Sequence, residues 1–178
     1  DRAFPVSELR GYASERSEGR TLPFARGEVT CRVLTDDGFD GLDLVVIDVD
    51  DPLALEWAPR AVAAGARVVD NSAAFRSDPD VPLVVAEVNP DDLGSLPKGI
   101  ASCPNCTTMV LLTALAPLHR AAHIDRMVVS TYQSVSGAGQ PGQRELAEQW
   151  NKGDGEVERF RRAATIPGAV APGDVFDV

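Results

Sequence analysis

Apolar residues recur along this chain in short, separated blocks, and the spacing inside each block predicts an element. Leu44-Val45-Val46-Ile47 is an unbroken apolar run, the pattern of a strand covered on both faces as in a parallel sheet. Residues 53–65 follow with helical spacing around Trp57 and Val62 and stop at Gly65, and Arg67-Val68-Val69 is the next short strand. Strand, helix and strand with short links form a βαβ unit, which predicts a right-handed crossover and a parallel sheet. The expected class is α/β. Upstream, residues 9–14 read as a strand running into the polar turn 15–20, and residues 28–34 alternate as a half-buried strand before Asp36-Asp37-Gly38. Downstream, Leu83-Val84-Val85 reads as a buried strand, residues 106–121 as a helix and residues 126–133 as a strand. A small-residue loop, Ser134-Val135-Ser136-Gly137-Ala138-Gly139, then leads to a helix over residues 143–150, and residues 165–171 suit one more strand.

Chemistry concentrates where the helix 106–121 begins. Pro104 disfavours helix at the residue before it, Asn105 is a good N-cap, and Cys106-Thr107-Thr108 then make the first turn. A thiol at a helix N-terminus meets unpaired N–H groups and the positive end of the helix dipole, which stabilise a thiolate and make a nucleophile. A small apolar core cysteine is the plainer alternative. Cys103 and Cys106 also spell Cys-x-x-Cys, the spacing of a redox pair. Ser14 and Arg16, at the end of the first strand, suit a cofactor ribose or its phosphate in a doubly wound protein, or simply a solvated loop. The segment Asp70-Asn71-Ser72-Ala73-Ala74-Phe75-Arg76 follows a strand and falls at the carboxyl edge, where ligands of open α/β sheets bind. Backbone can approach a ligand closely at Gly137 and Gly139.

Composition narrows the partners. The 178 residues carry 17 Lys and Arg against 27 Asp and Glu, a net charge of -10 that repels a phosphate backbone and argues against a nucleic-acid surface. With 44% hydrophobic residues the chain can fill a core, yet no apolar stretch reaches the ~18–20 residues of a membrane span. The start, Asp1-Arg2-Ala3-Phe4-Pro5, has no signal-peptide layout, and three cysteines without zinc-type repeats suit thiols in a reducing, cytoplasmic setting.

Ordered motifs across nearly the whole chain resemble the aspartate-semialdehyde dehydrogenases and, further off, the N-acetyl-glutamyl-phosphate reductases. They are Ala13-Ser14-Glu15-Arg16-Ser17, Glu56-Trp57-Ala58-Pro59, Val69-Asp70-Asn71-Ser72-Ala73-Ala74-Phe75-Arg76, Pro104-Asn105-Cys106-Thr107-Thr108 and Thr131-Tyr132-Gln133-Ser134-Val135-Ser136-Gly137-Ala138-Gly139. The resemblance implies reduction of β-aspartyl phosphate to aspartate semialdehyde with NADPH through a cysteine thioester, in a homodimer or homotetramer acting on a small molecule. By resemblance Cys106 is the nucleophile and Gln133 aligns the substrate. Asn105 supports the cysteine loop and helps bind the substrate phosphate, and Arg76 binds that phosphate, a task for a planar, permanently charged fork. Ser14, Arg16 and Ser17 contact the 2′-phosphate of NADP, and Ser136 and Gly137 lie near the nicotinamide. Taken residue by residue, Gln133 also reads as a strand-end cap and Arg76 as a surface ion-pair partner. The implied architecture is a Rossmann-like parallel sheet over residues 1–102, lacking its first strand and Gly-rich loop, followed by part of an α+β catalytic and dimerisation domain over residues 103–178.

The chain also departs from the family. It begins at Asp1, after the expected position of a Gly-rich phosphate loop, and nothing matches the family's later histidine and carboxylate-binding arginine; His119 and His123 read as helix-end surface residues. Asp48-Val49-Asp50-Asp51 replaces small residues beside the cofactor, and a carboxylate repels a phosphate by about 1 kcal/mol per close pair in water. Cys103 replaces an asparagine, which raises an inhibitory Cys103–Cys106 disulfide as an option. A non-catalytic binding or oligomerisation module is the alternative function, and a cofactor-free acyl-cysteine enzyme a third.

Overall fold

A computed structural model describes residues 4–24 and 27–152, so the strand expected at residues 165–171 lies outside the described residues. The chain divides into two compact units, Asp1–Arg126 and Met127–Val178, taken separately here. The first unit runs β1 (Gly11–Ala13), β2 (Thr21–Phe24), β3 (Gly27–Val33), β4 (Leu44–Ile47), α1 (Asp51–Ala63), β5 (Arg67–Asp70), β6 (Ile100–Ser102) and α2 (Cys106–Ala122). These strands form two three-stranded sheets in the orders β1-β3-β2 and β4-β5-β6. In the second sheet both pairs are parallel, and β4-α1-β5 is the expected βαβ unit. The α/β class follows directly from that unit.

The core sits between α1 and the second sheet. Ala54, Ala58 and Ala61 recur at helical spacing and are each fully buried, because methyl-sized side chains let the helix approach the strands closely. Val68 in the central strand, Ile47, Ile100, Phe75, Val81 and Phe39 complete the cluster. Phe39 packs edge-on against Tyr12 at 6.5 Å and Trp57 at 6.0 Å, which draws the segment between β3 and β4 onto both. Asp50 precedes α1, Pro52 stands in its first turn, and beyond its end Gly65 adopts φ 99°, a left-handed value that suits glycine.

Four features of the strands in the first unit differ from the sequence-based expectations. β4 is not covered on both faces: Val45 and Ile47 face the core with α1, whereas Leu44 and Val46 alternate to the opposite face and are exposed. Thr21–Phe24 pairs antiparallel with β3 as β2, a strand that Pro23 obscures in the sequence. Leu83-Val84-Val85 makes only one parallel bridge, Leu83 to Ser102. Val84 N donates to Ser102 O and Ser102 N to Pro82 O, but the next step on either side would need an N–H from Pro82 or Pro104, so the ladder stops after one step. Conversely Ile100–Ser102, short and preceded by Gly99, is the strand β6.

α2 begins at Cys106 and no side chain on it is fully buried. Its last turn is tied instead by Arg120, whose Nη2 donates to the carbonyls of Val88 at 2.9 Å and Glu87 at 3.3 Å. In the second unit the strand expected at residues 126–133 is irregular chain, since a strand exists only as one member of a pair and no described segment pairs with it. A single 3-10 turn, Val135–Ala138, precedes α3 (Gly139–Lys152), which starts four residues earlier than the pattern suggests. Pro141 falls in its first turn, where a missing N–H costs nothing.

Candidate functional site

The parallel register sets the site. Ile47, Asp70 and Ser102 are Cα partners at the ends of β4, β5 and β6, so the residues that follow them form one rim at the carboxyl edge. That rim carries Asp48, Asn71 and Cys103, and it is laced together. Asn71 N donates to Ile47 O and Cys103 N to Asp70 O, each at 2.8 Å. Asn71 Nδ2 reaches Asp48 Oδ1 at 3.0 Å, and Asp51 Oδ1 accepts from Ala73 N at 2.8 Å. Two members of the acidic run therefore brace the loop after β5, and Asp51 lies in the first turn of α1, where a negative charge is favourable. Among the described residues no group of three or more His, Cys, Asp or Glu gathers as a metal would require.

Cys106 is exposed as the first residue of α2. The preceding Asn105 has φ -53° and ψ 143°, and its side chain caps the helix: Oδ1 accepts from Thr107 N at 3.0 Å and from Thr107 Oγ1 at 2.6 Å. Cys106 Sγ donates to the same oxygen at 3.9 Å. A sulfur beside the open end of a helix, with free N–H groups around it, is placed to attack a carbonyl carbon and to have the resulting oxyanion held.

Arg76 lies within the same frame. Its Nε donates to Cys103 O at 2.9 Å and its Nη2 to Asn71 O at 3.2 Å, so one edge of the guanidinium holds the cysteine segment. Cys103 is half-buried; burial pushes its thiol up, the Asp70 charge pushes the same way, and Arg76 opposes both. It is a protonated thiol at neutral pH. Cys103 and Cys106 are both free thiols in this structure, one half-buried and the other exposed.

Sequence reasoning overlooked Asp70 and Ser72. Asp70 is fully buried and accepts from Ser72 N at 3.2 Å and Ser72 Oγ at 2.9 Å, and Ser72 Oγ accepts from Ala74 N at 3.1 Å. The Asp-x-Ser spacing at a strand end is itself the signal of such a turn. Ser102, in register with Asp70, has a buried hydroxyl with no hydrogen-bond partner.

The remaining candidates fall in two places. Ser14, Arg16 and Ser17 form a 3-10 turn, Glu15–Ser17, straight after β1, with Ser17 N bonded to Ser14 O at 2.8 Å. Two hydroxyls and a guanidinium at the carboxyl end of a parallel strand fit a ribose carrying a 2′-phosphate. In the second unit Gln133, Ser136 and Gly137 share one short turn, where Ser134 and Ser136 hydroxyls lie 2.8 Å apart. A Cβ on Gly137 would collide with the Gln133 carboxamide, so the glycine is what lets that side chain lie across the turn.

Two three-stranded sheets with helices between their strands, and an exposed cysteine where a helix begins beyond the carboxyl edge, define an α/β nucleotide-binding fold. Residues 1–96 match the semialdehyde dehydrogenase NAD-binding domain and residues 115–177 the semialdehyde dehydrogenase dimerisation domain, and the chain belongs to the semialdehyde dehydrogenase family. It is 44% identical over 173 residues to the aspartate-semialdehyde dehydrogenase of Aquifex aeolicus, covering 96% of this chain and 51% of that protein. Among solved structures it resembles aspartate semialdehyde dehydrogenase II of Vibrio cholerae complexed with ASA, at 43% identity and TM-score 0.75, over 85% of this chain and 45% of that one. It also resembles the Candida albicans enzyme with NADP, at 25% identity and TM-score 0.50, over 66% and 40% of the two chains. The chain spans about half the length of the curated relatives it matches. Among the described residues no helix is long and apolar enough to cross a membrane.

Proposed function

We propose that this chain is the cofactor-binding and nucleophile-bearing part of an aspartate-semialdehyde dehydrogenase, which reduces β-aspartyl phosphate to aspartate semialdehyde. The observation that carries this is Cys106 exposed at the start of α2, capped by Asn105, on the rim that also holds Arg76. The Cys106 sulfur attacks the acyl-phosphate carbon, a C–S bond forms, and phosphate leaves with the electrons of its C–O bond. The outer edge of the Arg76 guanidinium, turned away from Cys103 and Asn71, receives that phosphate, while Asn105 keeps the sulfur at the helix end. Gln133 aligns the substrate. By the family assignment, Ser14, Arg16 and Ser17 would hold the 2′-phosphate of NADP and Ser136 and Gly137 would serve its nicotinamide; in reduced form it would supply a hydride to the thioester carbon, the C–S bond breaking to return the Cys106 thiolate and release the aldehyde.

In this reading residues 1–102 belong to the dinucleotide-binding domain and residues 103–178 to the catalytic and dimerisation domain of a cytoplasmic homodimer or homotetramer. The test joins this chain to the segments of the Aquifex aeolicus relative that it does not match. Phosphate-dependent formation of NADPH from aspartate semialdehyde should disappear with Cys106→Ala, and near-normal turnover in that variant would refute the assignment.

A further inference from the structure

The chemistry above depends on where the first turn of α2 is held. We propose that Asp70 is a positioning residue for Cys106, acting through Ser72 and Arg76, on the reading that Cys106 is the nucleophile. Asp70 is fully buried, and both donors to its carboxylate come from Ser72. Among the described residues it has no ion-pair partner. A fully buried carboxyl group with so few partners is costly to desolvate. An apolar residue of that size would fill the space at lower cost, so the carboxylate has a task other than packing.

Its task is the shape of the loop. The carboxylate fixes the Ser72 backbone and hydroxyl, and Ser72 Oγ in turn fixes Ala74 N at 3.1 Å. Arg76 N then closes on Ala73 O at 3.3 Å, which brings the guanidinium back over the rim to Cys103 O at 2.9 Å and Asn71 O at 3.2 Å. Cys103 N meanwhile donates to Asp70 O at 2.8 Å. One loop thus grips both polar groups of Cys103. Between that grip and Cys106 stand only Pro104, buried and with its φ fixed by the ring, and Asn105, locked as the helix cap. Few torsions remain through which the sulfur can shift independently of the Asp70 loop.

The test follows iodoacetamide labelling of Cys106 on the chain itself, located by peptide mass spectrometry, at pH 7 and at pH 10. Dividing the rate at pH 7 by the rate at pH 10 cancels differences in access, so the ratio reports the helix-end environment. Asp70→Asn and the milder Ser72→Ala should each lower that ratio by about two- to fivefold, the size of a charge interaction at a helix terminus. A ratio equal to or above the parent's in Ser72→Ala overturns the proposal even where Asp70→Asn does not fold. Slower labelling of Cys106 than of Cys103 in the parent would instead sink the nucleophile reading, and this proposal with it.

Discussion

Asn105→Ala tests whether the cap is what holds the nucleophile. Asn105 Oδ1 accepts from Thr107 N at 3.0 Å and from Thr107 Oγ1 at 2.6 Å. Loss of an N-cap costs about 1 kcal/mol, and loss of the second bond adds up to about another, reduced because the half-buried Thr107 hydroxyl regains water. The total of about 1–2 kcal/mol corresponds to a factor of about 5–30. Because α2 buries no side chain fully, this loss should appear as local opening of the first turn and barely in the global melting temperature. Amide hydrogen exchange is the assay: the Thr107 and Met109 N–H groups should exchange about 5–30 times faster in the variant. Asn105→Asp keeps an equal cap and should restore the parent's exchange. It would also set a carboxylate about 4 Å from sulfur, a repulsion of about 1 kcal/mol in water that should slow Cys106 alkylation about fivefold at pH 7. Unchanged exchange in Asn105→Ala, or failure of Asn105→Asp to restore it, would show that the cap does not hold this turn.

Lys98 Nζ contacts Asp78 at 2.6 Å and Asp80 at 3.6 Å. The hydrogen bond from Lys98 holds Asp78 below its ordinary 3.8, and Asp78 holds Lys98 above its ordinary 10.5. Stability from Asp78 is present above the ordinary carboxylate value and lost as pH falls through the lowered one; stability from Lys98 is present below the ordinary ammonium value and lost as pH rises through the raised one. The melting-temperature gap between the parent and Lys98→Met should therefore be widest around neutral pH and close at both extremes, and a gap independent of pH would contradict the pairing. Gly65→Ala and Gly99→Ala both place a side chain at positive φ, 99° and 70°, for a penalty of about 1–2 kcal/mol each. The Gly99 Cβ would also lie 2.8 Å from Val62 Cγ1 where Gly65 meets open space, so Gly99→Ala should lower the urea midpoint further; equal losses would mean Val62 moves aside. Finally, Cys103 and Cys106 are separate free thiols, so diamide should produce no disulfide between them by intact mass, and a loss of two hydrogens within the peptide that contains them would show that the two pair.

Elements whose logic is local were legible in the sequence. The start of α2 at Cys106 follows from Pro104 and Asn105, and the β4-α1-β5 unit from apolar blocks of the right length. Elements that depend on a distant partner were not. Leu83-Val84-Val85 has the composition of a strand, but its ladder to β6 is held to one bridge by Pro82 and, on the paired segment beyond Ser102, by Pro104. β2 exists because Thr21 faces Thr30 across a hairpin, which no property of residues 21–24 alone reveals. The same divide runs through the site. Cys106 and Asn105 are readable as helix start and cap, whereas the grip of Arg76 on Cys103 spans 27 residues and depends on the fold.

α2 is supported like a beam resting on two piers, at Cys103 before its first residue and at Arg120 in its last turn. Val110 and Leu118, on the span between them, remain largely open in this chain. Residues along the span can drift in evolution, or adapt to whatever surface comes to lie against them, while the sulfur at Cys106 stays where the first pier puts it.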